Sequence, residues 1–204
     1  MLQSIAIRLC DVLVALFATV VLAVPMILIA VALRLSDGGP ALFRQRRVGK
    51  GGRLFEIYKF RSMRVDGSGA GTGVAKAGEE AEVARLRFQR TERGDPRITP
   101  LGAILRPSHL DELPQLLNIL RGDMSLVGVR PDTPVQEGDY SPEYWVLRHR
   151  FRPGLTGPAQ LRSDPVDFEQ RGAEELKWLR GRSFTLYLSI LWRTAAKVVR
   201  RSSF

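Results

Sequence analysis

Residues 108–120 read Ser108-His109-Leu110-Asp111-Glu112-Leu113-Pro114-Gln115-Leu116-Leu117-Asn118-Ile119-Leu120. Leu113, Leu116, Leu117 and Leu120 recur at helical spacing and make one apolar face. Pro114 limits where that helix begins, because proline is comfortable only in a first turn, where its missing N–H has no partner to lose. The spacing predicts a helix that starts close to Leu110 or Asp111, with Asp111 and Glu112 at its N-terminus. Two readings of that placement stand side by side on this segment alone. Acidic residues offset the macrodipole there, and Ser108 with Asp111 resembles a capping box. The same geometry also makes an anion-handling site. Free N–H groups and the dipole attract phosphate, one carboxylate can act as a nucleophile, and its neighbour can hold a divalent cation through oxygen ligands.

The flanking segments extend the second reading. Gly122-Asp123-Met124-Ser125-Leu126-Val127-Gly128-Val129-Arg130-Pro131 ends in an arginine fixed by a proline, and Arg152-Pro153-Gly154-Leu155-Thr156-Gly157 offers another on a rigid turn. An arginine fork matches phosphate, although each arginine taken singly suits a structural ion pair better. Upstream, Leu54-Phe55-Glu56-Ile57-Tyr58-Lys59-Phe60 is rich in strand formers, and Gly49, Gly51 and Gly52 mark a turn before it. The glycine-rich stretch near 66–80 reads as a mobile loop, and Glu79 to Arg90 reads as helical.

The ends of the chain are apolar and basic. The 204 residues carry 31 Lys/Arg and 21 Asp/Glu, a net charge of +10. Residues 1–65 hold ten basic and three acidic residues, and residues 177–204 hold seven basic residues and no acid. That distribution suits a membrane surface of anionic lipid better than nucleic acid, whose binders more often spread positive charge over the folded body. Val12 to Leu33 gives 22 residues without charge, split by Pro25, with Arg8 before it and Arg34, Arg44, Arg46, Arg47, Lys50 and Arg53 after it. Its length fits a spanning helix. Basic residues on both flanks, with a proline between, fit a helix that bends and returns to the same face. One cysteine, Cys10, excludes an intrachain disulfide, and neither a zinc-ligand spacing nor a GxxxxGK[ST] phosphate loop is present.

Residues 183–201 read as an amphipathic helix. Phe184, Tyr187, Leu188, Leu191, Ala195 and Val198 form the apolar stripe, and Arg193, Lys197 and Arg200 lie opposite. It suits a core helix with a solvated back, and its all-basic polar face also suits a helix lying on anionic lipid.

Taken in order, Gln45-Arg46-Arg47-Val48-Gly49, Lys59-Phe60-Arg61-Ser62-Met63, Asp95-Pro96-Arg97-Ile98-Thr99, Leu110-Asp111-Glu112-Leu113-Pro114-Gln115-Leu116 with Asn118, Gly122 to Gly128, Arg130-Pro131 and Arg152 to Gly157 resemble the bacterial sugar transferase family of small monotopic phosphoglycosyl transferases. The resemblance implies a mixed α/β fold, mainly helical. It would have a re-entrant membrane helix over 1–40, a small strand element, amphipathic interfacial helices including the C-terminal one, and a catalytic domain over 41–204. It implies transfer of a phosphosugar from a nucleoside diphosphate sugar, usually a UDP-sugar, to polyprenyl phosphate (undecaprenyl phosphate in kind), releasing UMP at the cytoplasmic face of the bacterial inner membrane. By the same resemblance Asp111 is the nucleophile and Glu112 binds Mg²⁺. Lys59 lies in the site, and Arg130-Pro131, Arg61, Arg152 and Glu175 contact substrate. A catalytically inactive membrane-surface scaffold of the same fold is the alternative.

The chain departs from the family pattern at four positions. Val129 replaces the first proline of Pro-Arg-Pro, Val24 the serine before Pro25, Pro158 a tryptophan, and Glu175 an aspartate.

Overall fold

The computed structural model describes residues 2–64, 95–161 and 168–199. The glycine-rich loop and the helix expected over 79–90 lie outside the described residues.

The apolar N-terminus forms two helices, α1 (Leu2–Val21) and α2 (Ala23–Asp37). They meet at Leu22, whose φ of −93° and ψ of 5° leave the helical well. The break falls three residues before Pro25 because the proline ring crowds the carbonyl one turn earlier and supplies no N–H to it. Among the described helices, α1 alone is long and apolar enough to cross a membrane. Both arms nevertheless rest on the body. Ile7, Asp11 and Ala15 of α1 are buried, and so is Leu33 of α2. Around the bend, Phe17, Val20, Val24, Ile27 and Leu28 stay exposed.

Strand β1 (Leu42–Val48) and strand β2 (Leu54–Phe60) form an antiparallel hairpin. Gly51 and Gly52 take φ of 68° and 78° in its turn, a conformation open to glycine without penalty. The Asp95–Thr99 motif is structural: Asp95 pairs with Arg97 at 2.7 Å, and Thr99 accepts a hydrogen bond from Gly102 N to cap α3 (Pro100–Leu105). Helix α4 (Gln115–Arg121) follows, ended by Gly122 at φ 90°.

A second sheet, not expected from the sequence, pairs β3 (Ser125–Val127) in parallel with β4 (Gly154–Thr156). Each strand has three residues, too few to show a period of two. Thus the segment read as a rigid turn after Arg152 is a strand. A side chain at Gly154 would lie 2.0 Å from Gly128 N, so the two backbones meet only because neither position has a Cβ. Between these strands lies α5 (Pro142–Arg148). After β4 come α6 (Phe168–Arg180) and α7 (Phe184–Val199).

The main core joins Ile7 and Ala15 to Ile57, Leu116, Ile119, Met124, Leu126, Val127, Trp178, Tyr187 and Ile190. A smaller cluster of Leu33, Phe60 and Leu105 seats α2. The apolar stripe expected on the C-terminal helix divides: Tyr187 enters the core, joined by Ile190 from outside the stripe, while Leu188 and Val198 face outward with the neighbouring Trp192.

Polar contacts fix α1 to this body. Asp11, buried at 1% exposure, accepts hydrogen bonds from Ser125 Oγ at 3.0 Å, Leu126 N at 2.8 Å and Tyr187 Oη at 2.8 Å. Arg8 donates to Ile119 O at 2.6 Å and Leu120 O at 2.9 Å, and Arg152 Nε donates to Gly122 O at 2.6 Å. Two arginines distant in sequence therefore answer the free carbonyls at the end of α4. Asp11→Ala is expected to destabilise the protein by about 2–4 kcal/mol, since it orphans three buried donors at once, and Tyr187→Phe by about 1 kcal/mol. Thermal denaturation in detergent, with both variants beside the parent, checks the order and the size of the two losses.

Candidate active site

The hairpin alternates in and out with a period of two. Its register sets Gln45 opposite Ile57, Arg47 opposite Phe55 and Phe43 opposite Lys59. One face therefore carries Arg47, Ile57 and Lys59 towards a cleft that Glu112, Gln115, Arg130, Pro131, Gly154 and Leu155 complete. Helix α4 packs on β2 through Leu116 and Ile119 against Ile57 and through Arg121 on Tyr58, and one side chain bonds it to the backbone of the strand's outer edge. Asn118, fully buried, accepts from Tyr58 N at 3.0 Å and donates to Glu56 O at 2.7 Å. Its amide thus takes the place of a neighbouring strand, and Gln115, one turn earlier, faces the cleft.

Asp111 and Glu112 occupy a separate 3₁₀ turn, Leu110–Glu112, and α4 itself starts only at Gln115. The sequence reading placed one helix over both. Pro114 explains the difference: it has no N–H to give Leu110 O, so Leu113 N bonds to Leu110 O and Leu117 N to Pro114 O in three-residue steps. The expected capping box is also absent. Ser108 Oγ donates back to Ile104 O and Leu105 O, and His109 turns the chain at φ 55°, a left-handed conformation rare outside glycine. With α4 this short, the attraction for an anion comes chiefly from side-chain cations, not from a helix dipole.

Those cations converge on one oxygen. Lys59 Nζ lies 2.6 Å from Glu112 Oε1, and Arg130 Nη2 lies 3.4 Å from the same atom. Burial pushes the Glu112 carboxyl up, but Arg130 and Lys59 outweigh it and hold the group down at about 2. Burial pulls Lys59 below its ordinary value, with Glu112 opposing it. Asp111 differs from its neighbour. It is buried at 8% exposure, its carboxylate accepts no hydrogen bond among the described residues, and burial raises its pKa while Lys59 works against the rise. Adjacent carboxyls are thus set apart, one firmly ionised and clamped, the other with free lone pairs.

Of the eight residues singled out from sequence, the structure brings Lys59, Asp111, Glu112, Arg130 and Pro131 together. It does not bring the other three. Arg61 is buried beneath the end of α2, packed on Gly39 and donating to Leu33 O. Arg152 serves the end of α4. Glu175, 1% exposed, is enclosed with the fully buried Arg148 and hydrogen-bonded by Tyr144 Oη at 3.3 Å, so its carboxylate has no surface to offer substrate. Its function is indirect: Arg148 also binds Asp132 and donates to Arg130 O at 3.1 Å, which steadies the backbone that carries Arg130.

Three residues near the site were missed by the sequence reading. Arg47 donates to Pro131 O at 2.9 Å and to Gln45 Oε1 at 2.5 Å and makes no ion pair among the described residues; burial, then the nearby Arg130, lower its pKa to about 10 against the pull of Asp132 and Glu112. Gln115 is 2% exposed and its amide nitrogen has no partner, a condition that costs about 1–3 kcal/mol. Arg106 exerts its charge on Asp111 and donates to Ser62 Oγ at 3.3 Å. Both Arg47 and Gln115 stand inside motifs quoted above, which gave neither a role, and no local signal marks Arg106.

No cluster of three metal-ligating side chains exists among the described residues. A magnesium ion needs fewer from the protein, because substrate phosphates and water fill most of its shell. Both cations bind Glu112 Oε1, which leaves Oε2 available, so the residues fit such an ion.

The fold and this cluster define a class: a small α/β protein with an apolar helical arm and a cation-rich cleft built around two adjacent carboxylates. The sequence pattern described as bacterial sugar transferase matches residues 2–201, and the chain belongs to that family. A UDP-glucose:undecaprenyl-phosphate glucose-1-phosphate transferase of Caulobacter vibrioides is 41% identical, over 94% of this chain and 69% of that protein. The exopolysaccharide production protein PSS of Rhizobium leguminosarum is 37% identical over 94% of each. A relative in Escherichia coli with the same name as the Caulobacter protein is 36% identical, over 83% of this chain and 35% of its own length. The chain likewise spans only 29–34% of several other curated relatives.

The clamped Glu112 has a pH signature. Its folded value of about 2 lies below the ordinary 4.5, so its contribution, about 3 kcal/mol, is complete above about pH 5 and drains away as pH falls through that interval. Glu112→Gln is expected to remove this part of the acid destabilisation, measured as melting temperature between pH 7 and pH 3.

Proposed function

We propose that this chain is a phosphoglycosyl transferase that moves a phosphosugar from a UDP-sugar to a polyprenyl phosphate of the undecaprenyl kind, and that it serves the assembly of an exopolysaccharide or related glycan. The observation that carries the reading is the unbonded carboxylate of Asp111 beside the clamped Glu112. The relatives supply the substrate class: several are named for transfer from a UDP-sugar to undecaprenyl phosphate.

In this mechanism an Asp111 oxygen attacks the phosphorus that bears the sugar, and the bond to the nucleotide phosphate breaks. UMP departs with the electron pair, leaving an aspartyl phosphosugar. An oxygen of polyprenyl phosphate then attacks the same phosphorus, the aspartyl bond breaks, and a lipid-linked diphosphosugar forms while Asp111 is restored. Free lone pairs suit Asp111 to attack, and burial leaves it little solvation to shed. Arg130 and Lys59 present positive charge where the diphosphate must lie. Glu112 Oε2, with substrate oxygens, would hold Mg²⁺, whose charge offsets the repulsion between carboxylate and diphosphate.

For the membrane, we take residues 1–40 as a re-entrant arm and residues 41–204 as a domain on the cytoplasmic face of the bacterial inner membrane. Contact of both α1 and α2 with one body supports entry and exit on a single side. Exposed apolar residues around Leu22 supply the buried tip, and outward Leu188, Trp192 and Val198 with Arg193 suit an anionic lipid surface.

With radiolabelled UDP-sugar, Mg²⁺ and polyprenyl phosphate, the parent is expected to release UMP. Asp111→Asn should lose at least about 1,000-fold of that rate. Because burial raises the folded pKa of Asp111, its ionised form weakens the fold above that value; Asp111→Asn should therefore melt no lower than the parent at pH 7. A parent that releases no UMP from any common UDP-sugar, yet binds vesicles, would identify the scaffold instead. For topology, cysteines at Ser4 and Ser36 in a Cys10→Ala background should both resist a membrane-impermeant thiol reagent in spheroplasts. Labelling of just one indicates a spanning helix.

A further inference from the structure

We infer that Gln115, with Arg47 behind it, forms a phosphate-binding subsite in the cleft, the Gln115 amide N–H donating to a non-bridging phosphoryl oxygen. The inference rests on the transferase reading and adds a residue that neither the motifs nor the relatives' names assign.

Two unmet polar demands meet in this cleft. The Gln115 amide is almost wholly buried, lines the cleft, and has no hydrogen-bond partner at its nitrogen. Buried amides in native proteins are nearly always paired, so one left open towards a cleft points to a partner that arrives with the ligand. The second demand is charge. Glu112 is shared by Lys59 and Arg130, whereas the Arg47 donors engage only the neutral oxygens of Pro131 and Gln45. Arg47 feels the charge of Asp132 and Glu112, but these carboxylates are engaged by Arg148 and by Lys59 with Arg130, so the cleft keeps surplus positive charge. An anion that also accepts hydrogen bonds satisfies both demands, and a phosphoryl group is such an anion.

The space enclosed between these side chains takes little more than one small polar group, and beyond it the cleft opens to solvent. A phosphoryl oxygen enters at this point, with the rest of the phosphate and the nucleoside, sugar or lipid over the open surface. Gln115 also stands three residues after Glu112, so a phosphate bound by its amide lies beside the carboxylate pair. The phosphate has two possible sources, the nucleotide diphosphate and the polyprenyl phosphate, which use one nucleophile in turn.

The test compares the full-length parent with Gln115→Met, which keeps the volume and removes the amide, and Gln115→Glu, which replaces the donor with a negative acceptor. Both half-reactions and the melting temperature are measured in detergent. Gln115→Met should melt at or above the parent, because the unpaired amide is gone, while kcat/KM falls about 10- to 100-fold. Gln115→Glu should fall further through like-charge repulsion. A loss confined to UMP release places the nucleotide phosphate in the subsite, and a loss confined to lipid product formation places the polyprenyl phosphate there. Both variants turning over like the parent overturns the inference. So does Gln115→Met losing several degrees of stability while Gln115→Glu retains activity, which marks a structural glutamine. A parent that releases no UMP overturns the transferase reading itself. The subsite is then read by inorganic diphosphate with Mg²⁺: a thermal shift in the parent that disappears in Gln115→Met upholds it, and equal shifts overturn it.

Discussion

The carboxamide of Asn118 against the edge of β2 is the contact on which the rest of the site depends. A two-stranded hairpin has an open edge, and α4 has no strand with which to fill it. At strand spacing, Asn118 Oδ1 accepts from Tyr58 N and Asn118 Nδ2 donates to Glu56 O. That pairing sets the height of α4 along β2. Lys59, the next residue on the hairpin, then faces Glu112, and Gln115 turns into the cleft. A hydrophobic contact would hold the two elements together without fixing their register, whereas two directional bonds fix it.

Around this frame the protein separates the properties of two adjacent carboxyls. Glu112 is ionised because two cations outweigh its burial, and Asp111 keeps its lone pairs because nothing donates to it. The arrangement is costly in the folded state: burial opposes the charge on Asp111, and among the described residues the Gln115 amide nitrogen has no partner and Arg47 pairs with no carboxylate. Polar groups left unmet at one place are the usual mark of a site whose ligand completes it.

The apolar arm is built into the same frame. Asp11 binds β3 and α7, and Arg8 joins Arg152 at the carbonyl end of α4. β3 in turn leads through Gly128 to Arg130. The helix that carries the membrane-seeking surface is therefore packed against the elements that place the cleft. On the far side of Arg130, the buried set of Arg148, Asp132 and Glu175 steadies the same backbone.

Much of this was legible in the order of residues. Strand-forming residues and the glycine turn marked β2 and its hairpin, apolar length with Pro25 marked the bent N-terminal arm, and Pro114 put Asp111 and Glu112 at a helix start, though their separate turn before α4 appeared only in the fold. The motifs of the bacterial sugar transferase family marked Lys59, Arg130 and Pro131 beside them. Other features needed the tertiary structure. The pairing of β3 with β4 joins segments of three residues, too short to carry a period. Arg61, Arg152 and Glu175 look like substrate contacts in sequence but face a helix end, another helix end and a buried arginine, because nothing local states where a charged side chain will find its partner. Gln115 and Arg47 emerged by the same logic in reverse. Sequence determines which groups can bond, and only the folded chain decides which of them are left without a partner.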